Sequence, residues 1–192
     1  DAEELSGCTH LGLLHQSGLG VEQSDERAVV LLRRACEGGE LRGCIGLGFM
    51  YERGRGVQQD YDAARTRYER ACGGGLLRGC NNLGFLYLNG LGVDADTRRA
   101  ADLFRRACEG QNALGCSNLG SLVLAGRGAE ADAARATDLF TRACSLGAPR
   151  GCFNLALNHQ SGRGAARDEA RARALFEQAC AGGYEPACAR AR

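Results

Sequence analysis

Cysteine is the side chain here best able to do chemistry, as a disulfide, a metal ligand or a nucleophile, and the 192-residue chain has 11 of them. They fall at positions 8, 36, 44, 72, 80, 108, 116, 144, 152, 180 and 188, so the intervals alternate between 28 and 8 without exception. Such alternation reads as a structural code with a period of 36 residues. Five C-x7-C couples follow: Cys36 with Cys44, Cys72 with Cys80, Cys108 with Cys116, Cys144 with Cys152, and Cys180 with Cys188. Cys8 is left unpaired, because its couple would need a cysteine immediately before Asp1. The simpler expectation is an array that starts further upstream; a natural free thiol is the other.

Other chemistry is thin. His10 and His15 are five residues apart and face different sides of one helix, poor geometry for a shared ligand. His15 and His159 occupy the slot where the second and third units have Tyr51 and Tyr87, so they read as packing residues. All 24 basic residues are Arg. The absence of Lys excludes a Schiff-base lysine, a P-loop lysine and a Ser-x-x-Lys nucleophile. The run DEARAR (Asp168 to Arg173) reads as a solvated, salt-bridging helix face. The Gly-x-Gly pairs lack the strand and remaining fingerprint of a dinucleotide site. No catalytic residue, metal site or cofactor is expected. A formal charge of +1 offers no field for nucleic acid or a membrane surface. No apolar run reaches the ~18 residues that span a bilayer. Asp1 does not begin a signal peptide, so the chain is expected to be soluble from birth or to have lost any export signal.

The elements that carry these residues repeat with the cysteines. A fixed period of this size points to a solenoid, with units at 5–40, 41–76, 77–112, 113–148 and 149–184 and the start of a sixth at 185–192. The whole of 1–192 is expected to be one such domain. In the third unit, Leu77, Cys80, Leu83, Gly84, Leu86 and Tyr87 recur at helical spacing. Gly90 is placed to cap that helix in the left-handed conformation and Gly92 to allow the return turn. Asp94 or Asp96 can cap a second helix, in which Ala100, Leu103, Phe104 and Ala107 share a face. Each unit is therefore a helical hairpin. Gly12, Gly48, Gly84, Gly120 and Ala156 recur in the first helix, and Ala28, Ala64, Ala100, Ala136 and Ala172 in the second. An interior glycine costs about 1 kcal/mol relative to alanine, so a neighbouring helix is expected to pass too close for a side chain. With six Phe, five Tyr and no Trp, a heavy aromatic core is not expected. Stability must come from stacking.

The pattern Cys-x-x-Leu-Gly-x-x-Tyr-x-x-Gly-x-Gly-Val, followed by Ala-x-x-Leu-Phe-x-x-Ala-Cys, resembles the Sel-1-like repeat, a relative of the tetratricopeptide repeat. The period and the C-x7-C couples are most similar to the Helicobacter cysteine-rich proteins, whose repeats each carry a disulfide. Val123 and His159 depart from the tyrosine slot, and Ala129 and Ala165 replace the loop valine. The resemblance implies an all-α, right-handed α/α solenoid of 36-residue hairpins. It also implies penicillin binding or slow β-lactam hydrolysis, for which this sequence supplies neither Ser-x-x-Lys nor a zinc triad.

In each couple the first cysteine ends one helix and the second begins the next. Seven residues are enough to reverse the chain and bring the sulfurs together. Zinc usually takes four Cys/His ligands at tighter spacing, and only three His are present. Disulfides are the expectation, each closing within its couple. They imply an oxidising compartment: the bacterial periplasm or exterior, or alternatively the mitochondrial intermembrane space.

One surface remains. First helices of such hairpins line a concave face, and helical counting directs Arg78, Asn81, Asn82, Phe85, Leu88 and Asn89 toward it. Corresponding positions supply Arg42, Phe49 and Arg53, then Asn118 and Ser121, then Arg150, Phe153, Asn154 and Leu157. Asn82, Asn118 and Asn154 form a ladder one period apart, and an amide matches both groups of an extended peptide backbone. Alternatively, these amides tie neighbouring helices together. The expected function is a non-enzymatic, monomeric scaffold for a protein or extended peptide; a spacer within a longer repeat protein is the remaining alternative.

Overall fold

A computed structural model describes residues 1–128 and 130–191. Ala129, of the loop departures, and Arg192, which ends the sixth segment, lie outside them. The described residues form helices α1 (Ala2–Ser17), α2 (Asp25–Glu37), α3 (Leu41–Arg53), α4 (Tyr61–Gly73), α5 (Leu77–Asn89), α6 (Thr97–Glu109), α7 (Ala113–Ala125), α8 (Ala133–Ser145), α9 (Pro149–Ser161), α10 (Glu169–Ala181) and α11 (Glu185–Cys188). Two compact units result: Asp1–Ala95 with α1 to α5, and Asp96–Arg192 with α6 to α11. In both, helices adjacent in sequence pack against each other.

The expected caps are present. Ser24, Asp60, Asp96, Asp132 and Asp168, one period apart, each accept a backbone N–H in the first turn of a second helix. Of the two candidates in the third hairpin, Asp96 acts, accepting from Arg99 N at 2.9 Å. The first helices α1, α3, α5, α7 and α9 all end on a left-handed glycine with φ between 63° and 71°. Helix α1 starts three residues earlier in its repeat than α3. Asp1 and Glu4 form a capping box there, where later repeats make the turn between two hairpins.

Each couple is closed. Disulfides join Cys36–Cys44, Cys72–Cys80, Cys108–Cys116, Cys144–Cys152 and Cys180–Cys188, with Cα separations of 4.4–4.7 Å. Each ties the end of one hairpin's second helix to the first helix of the next.

The core is more aromatic than composition implies. Position 32 and its repeats place Leu32, Tyr68, Phe104, Phe140 and Phe176 one to a second helix, each at most 1% exposed. Side chains of this size contribute about 1.5–3 kcal/mol apiece when buried. These rings also revise the expected reason for the small residues of the first helix. A Cβ on Gly48 would stand 2.6 Å from the Tyr68 ring, and one on Gly120 2.7 Å from the Phe140 ring. The close neighbour is a ring carried by the adjacent second helix, not that helix's backbone. A second glycine series meets a close helix, side chain and backbone together. Cβ atoms on Gly43, Gly79, Gly115 and Gly151, each just before a cysteine, would stand 2.5–2.7 Å from the Cβ of Ala35, Ala71, Ala107 and Ala143 and 2.9–3.1 Å from the backbone nitrogen of the cysteine that follows each alanine.

Candidate functional site

The first unit carries a groove of about 310 Å³ across α1, α3 and the start of α5. Four of the residues expected on the binding face meet there: Arg42, Phe49, Arg78 and Asn82. Arg42 and Arg78 begin α3 and α5, one period apart, and both are exposed. Phe49 lies half-buried, with the Arg53 guanidinium 5.7 Å from its ring centroid. The apolar floor includes Leu13, Ile45 and Leu77, with Gln16 at the edge. Sequence reasoning missed these four, although Leu13 stands one period before Phe49 and Ile45 one period before Asn81.

The electrostatics of the groove are one-sided. Among the described residues neither Arg42 nor Arg78 makes an ion pair, and no Asp or Glu lines the groove. Two carboxylates stand close to its residues: Glu40 caps α3 by accepting the Arg42 backbone N–H at 2.8 Å, and Glu52 bonds Tyr68. Tyr68, buried, donates its hydroxyl to Glu52 Oε2 at 2.8 Å. Burial pushes the Tyr68 phenol well above its usual range and the Glu52 charge adds to this, while a hydrogen bond with Asn82 and the Arg78 charge oppose it. Asn82 also accepts from Asn81 Nδ2 at 3.3 Å.

Other expected residues stand elsewhere. Asn81 is 6% exposed, so its amide sits in the helix packing and not on an open face. The turn direction from Leu83 explains this: Asn81 is one period from the buried Ile45 and Ser117. Phe85 is exposed on α5. In the second unit, Asn154 lines a smaller groove of about 210 Å³ with Ser121, Leu124, Leu157 and Arg163, and Asn118 is half-buried on α7. Arg150 is exposed at the start of α9. Phe153 packs inward, its ring centroid 5.5 Å from Phe176 and 5.0 Å from Tyr184.

Two arginines that sequence reasoning passed over hold the groove edges. Arg55 donates to Asp25 at 2.6 and 2.9 Å and to the Gln16 carbonyl at 2.9 Å. Arg163 donates to the Leu124 carbonyl, also at 2.9 Å. Both reach back 39 residues to the end of the preceding first helix, a spacing that could have revealed them. The histidines of the tyrosine slot do similar work: His15 Nδ1 meets the Glu22 carbonyl at 2.9 Å and His159 Nδ1 the Ala166 carbonyl at 3.2 Å. Among the described residues no three His, Cys, Asp or Glu side chains gather as a metal site, and no helix is long and apolar enough to cross a membrane.

The profile of the Sel1 repeat matches residues 5–40, 41–76, 77–112, 113–147 and 149–184. No curated protein matches the sequence. Among solved structures, a Sel1 repeat protein from Oxalobacter formigenes superposes with a TM-score of 0.86 at 24% identity, covering 97% of this chain and 74% of its own. A protective antigen present in uropathogenic Escherichia coli strains gives 0.83 at 28%; the match covers 97% of this chain but only 40% of the antigen. Helicobacter pylori cysteine rich protein B gives 0.56 at 27%, covering 68% of this chain and 94% of that protein. The all-α hairpin solenoid expected from the cysteine period is thus the fold observed.

Proposed function

Because the chain belongs to the Sel1 repeat family, whose repeats occupy nearly its full length, we propose that it is a disulfide-pinned, non-enzymatic scaffold binding an extended peptide or a protein segment along its first helices. The observation that carries this reading is the groove of the first unit. It sets two arginines without carboxylate partners, Arg42 and Arg78, beside an apolar floor of Leu13, Ile45 and Phe49. Such a surface suits a segment that offers an acidic group next to an apolar side chain: the guanidinium fork pairs with a carboxylate, and the floor takes the apolar group. Asn82 and, in the second unit, Asn118 and Asn154 supply amides for backbone hydrogen bonds. The five disulfides favour an exported protein in an oxidising compartment.

Peptides selected from a displayed random library against the folded chain test this directly. The selected sequences should combine acidic and apolar residues. Their affinity should fall at least tenfold in the Arg42→Glu/Arg78→Glu variant, whose exposed positions leave the melting temperature unchanged, and should weaken with salt. Equal binding to the variant overturns the site. A second variant, Asn82→Ala/Asn118→Ala/Asn154→Ala, separates the two roles of the amides. Lost binding with an intact melt supports recognition. A large drop in melting temperature with binding retained assigns them to the scaffold.

A further inference from the structure

Helix α9 carries a polar residue in a slot that the repeat otherwise fills with hydrocarbon. Asn158 is 3% exposed, and its counterparts at the same repeat position are Leu14, Met50, Leu86 and Leu122. Its amide is held from one side by Thr137 of α8, with Nδ2 donating to Thr137 Oγ1 at 2.8 Å. The Thr137 hydroxyl already gives its hydrogen to the Ala133 carbonyl at 2.9 Å. Thr137 Oγ1 can therefore only accept, which fixes the orientation of the amide. Asn158 Oδ1 is left turned away from Thr137, with no hydrogen-bond partner among the described residues. It is not sealed in. The described side-chain atoms enclosed without a partner are Arg65 Nε and Ser117 Oγ, whereas Asn158 lines the groove of about 210 Å³ between α7 and α9.

The other polar groups of this groove complete a pattern. Ser121 spends its hydrogen on the Ser117 carbonyl at 3.0 Å, so its oxygen is available only as an acceptor. Asn154, one turn before Asn158 on the same helix face, is half-buried and makes no hydrogen bond among the described residues. Arg163 is engaged with the Leu124 carbonyl. No Asp or Glu lines the groove. A carboxylate would bring acceptors to two acceptors. An ammonium would lose water beside Arg163 with no negative partner, a costly burial. A primary carboxamide offers two N–H donors and a carbonyl on one carbon. We infer that this groove of the second unit binds the side chain of a glutamine in a peptide segment. Its NH2 donates to Asn158 Oδ1 and Ser121 Oγ, and its carbonyl accepts from Asn154 Nδ2. Its methylenes lie along Leu124, Leu157 and the Phe140 ring, which form the apolar wall. The site is separate from the arginine groove of the first unit and does not rest on it.

Side-chain amide signals in two-dimensional NMR read this site directly. The probe is N-acetyl-glutamine N-methylamide, added to the whole chain with its disulfides closed. The glutamate and lysine analogues, which share its backbone amides, are the comparisons. The glutamine probe should shift the NH2 signals of Asn154 and Asn158 saturably, with an affinity at least tenfold above either analogue. Asn158→Leu installs the side chain that Leu86 and Leu122 carry in the same slot, and Thr137 keeps its bond to Ala133. This variant should keep its melting temperature and lose the probe. Asn154→Ala, at a half-buried position, should weaken the probe at least fivefold with the melt intact. Arg42→Glu/Arg78→Glu should bind the probe as the original chain does. Four results overturn the proposal: no saturable shift, equal affinity for the glutamate or lysine analogue, full affinity in either asparagine variant, or loss of the probe in the arginine variant.

Discussion

At the scale of single residues, two glycines in adjacent turns of equivalent helices should respond in opposite ways. Gly48 faces the Tyr68 ring at a distance that no Cβ tolerates, so Gly48→Ala should destabilise the fold by about 1–3 kcal/mol, the usual cost of overpacking. Gly7→Ala meets open space and should raise stability by up to about 1 kcal/mol through helix propensity. Urea titration followed by circular dichroism reads both; a stabilised Gly48→Ala would remove the ring-on-glycine account. Tyr68 itself makes stability depend on pH. Its folded phenol titrates above the usual range because of burial and Glu52, whereas the unfolded phenol ionises near about 10. Below that pH both states are protonated and the contribution is complete. Above it the unfolded state gains by ionising, so stability is lost as pH rises. Tyr68→Phe should therefore flatten the alkaline limb of the stability profile, and an unchanged slope would assign that limb to other groups.

At the scale of elements, the first four hairpin junctions each combine a disulfide, a glycine–alanine contact and a short turn, and the fifth has Ala187 in place of the glycine. Closing a loop of this length stabilises by about 2–3 kcal/mol in the chain-entropy description. Cys108→Ser/Cys116→Ser should lose about that much, and reduction of all five bonds should lower the melting temperature greatly. A melt unaffected by excess reductant would mean that the buried side chains of the second helices suffice alone within each unit. The groove of the first unit depends on the same junctions. Arg42 and Arg78 each lie two residues before a bridged cysteine, so reduction should weaken peptide binding before helicity is lost.

At the scale of the whole molecule, contacts within each unit run mainly between helices adjacent in sequence, so the stability of each is close to a sum of nearest-neighbour terms. The chain should not open uniformly. Helix α1 has neighbours on one side and exposed leucines on the other, and its amides should exchange faster than those of α3 and α4, as hydrogen exchange with mass spectrometry would show. Slowest exchange in α1 would contradict this ordering.

The cysteine interval determined the repeat and the couples before any coordinates, and the helical spacing between them determined the hairpin, because a strict period leaves each position only one environment to repeat. Caps were nearly as legible: Gly90 acts through its own turn, and neighbouring sequence narrowed the second cap to Asp94 or Asp96, of which Asp96 accepts the helix N–H. Which side chains share a groove was decided by packing between helices a full period apart. Arg42, Phe49, Arg78 and Asn82 converge with Leu13 and Ile45, while Asn81, one residue from Asn82, turns into the core and Phe153 turns onto Phe176 and Tyr184. Helical counting resolves a face to about 100° per residue, and at its borders the neighbouring rings choose which way a side chain goes. The reason for Gly48 needed the third dimension too, since only the packed hairpin lays the Tyr68 ring across it.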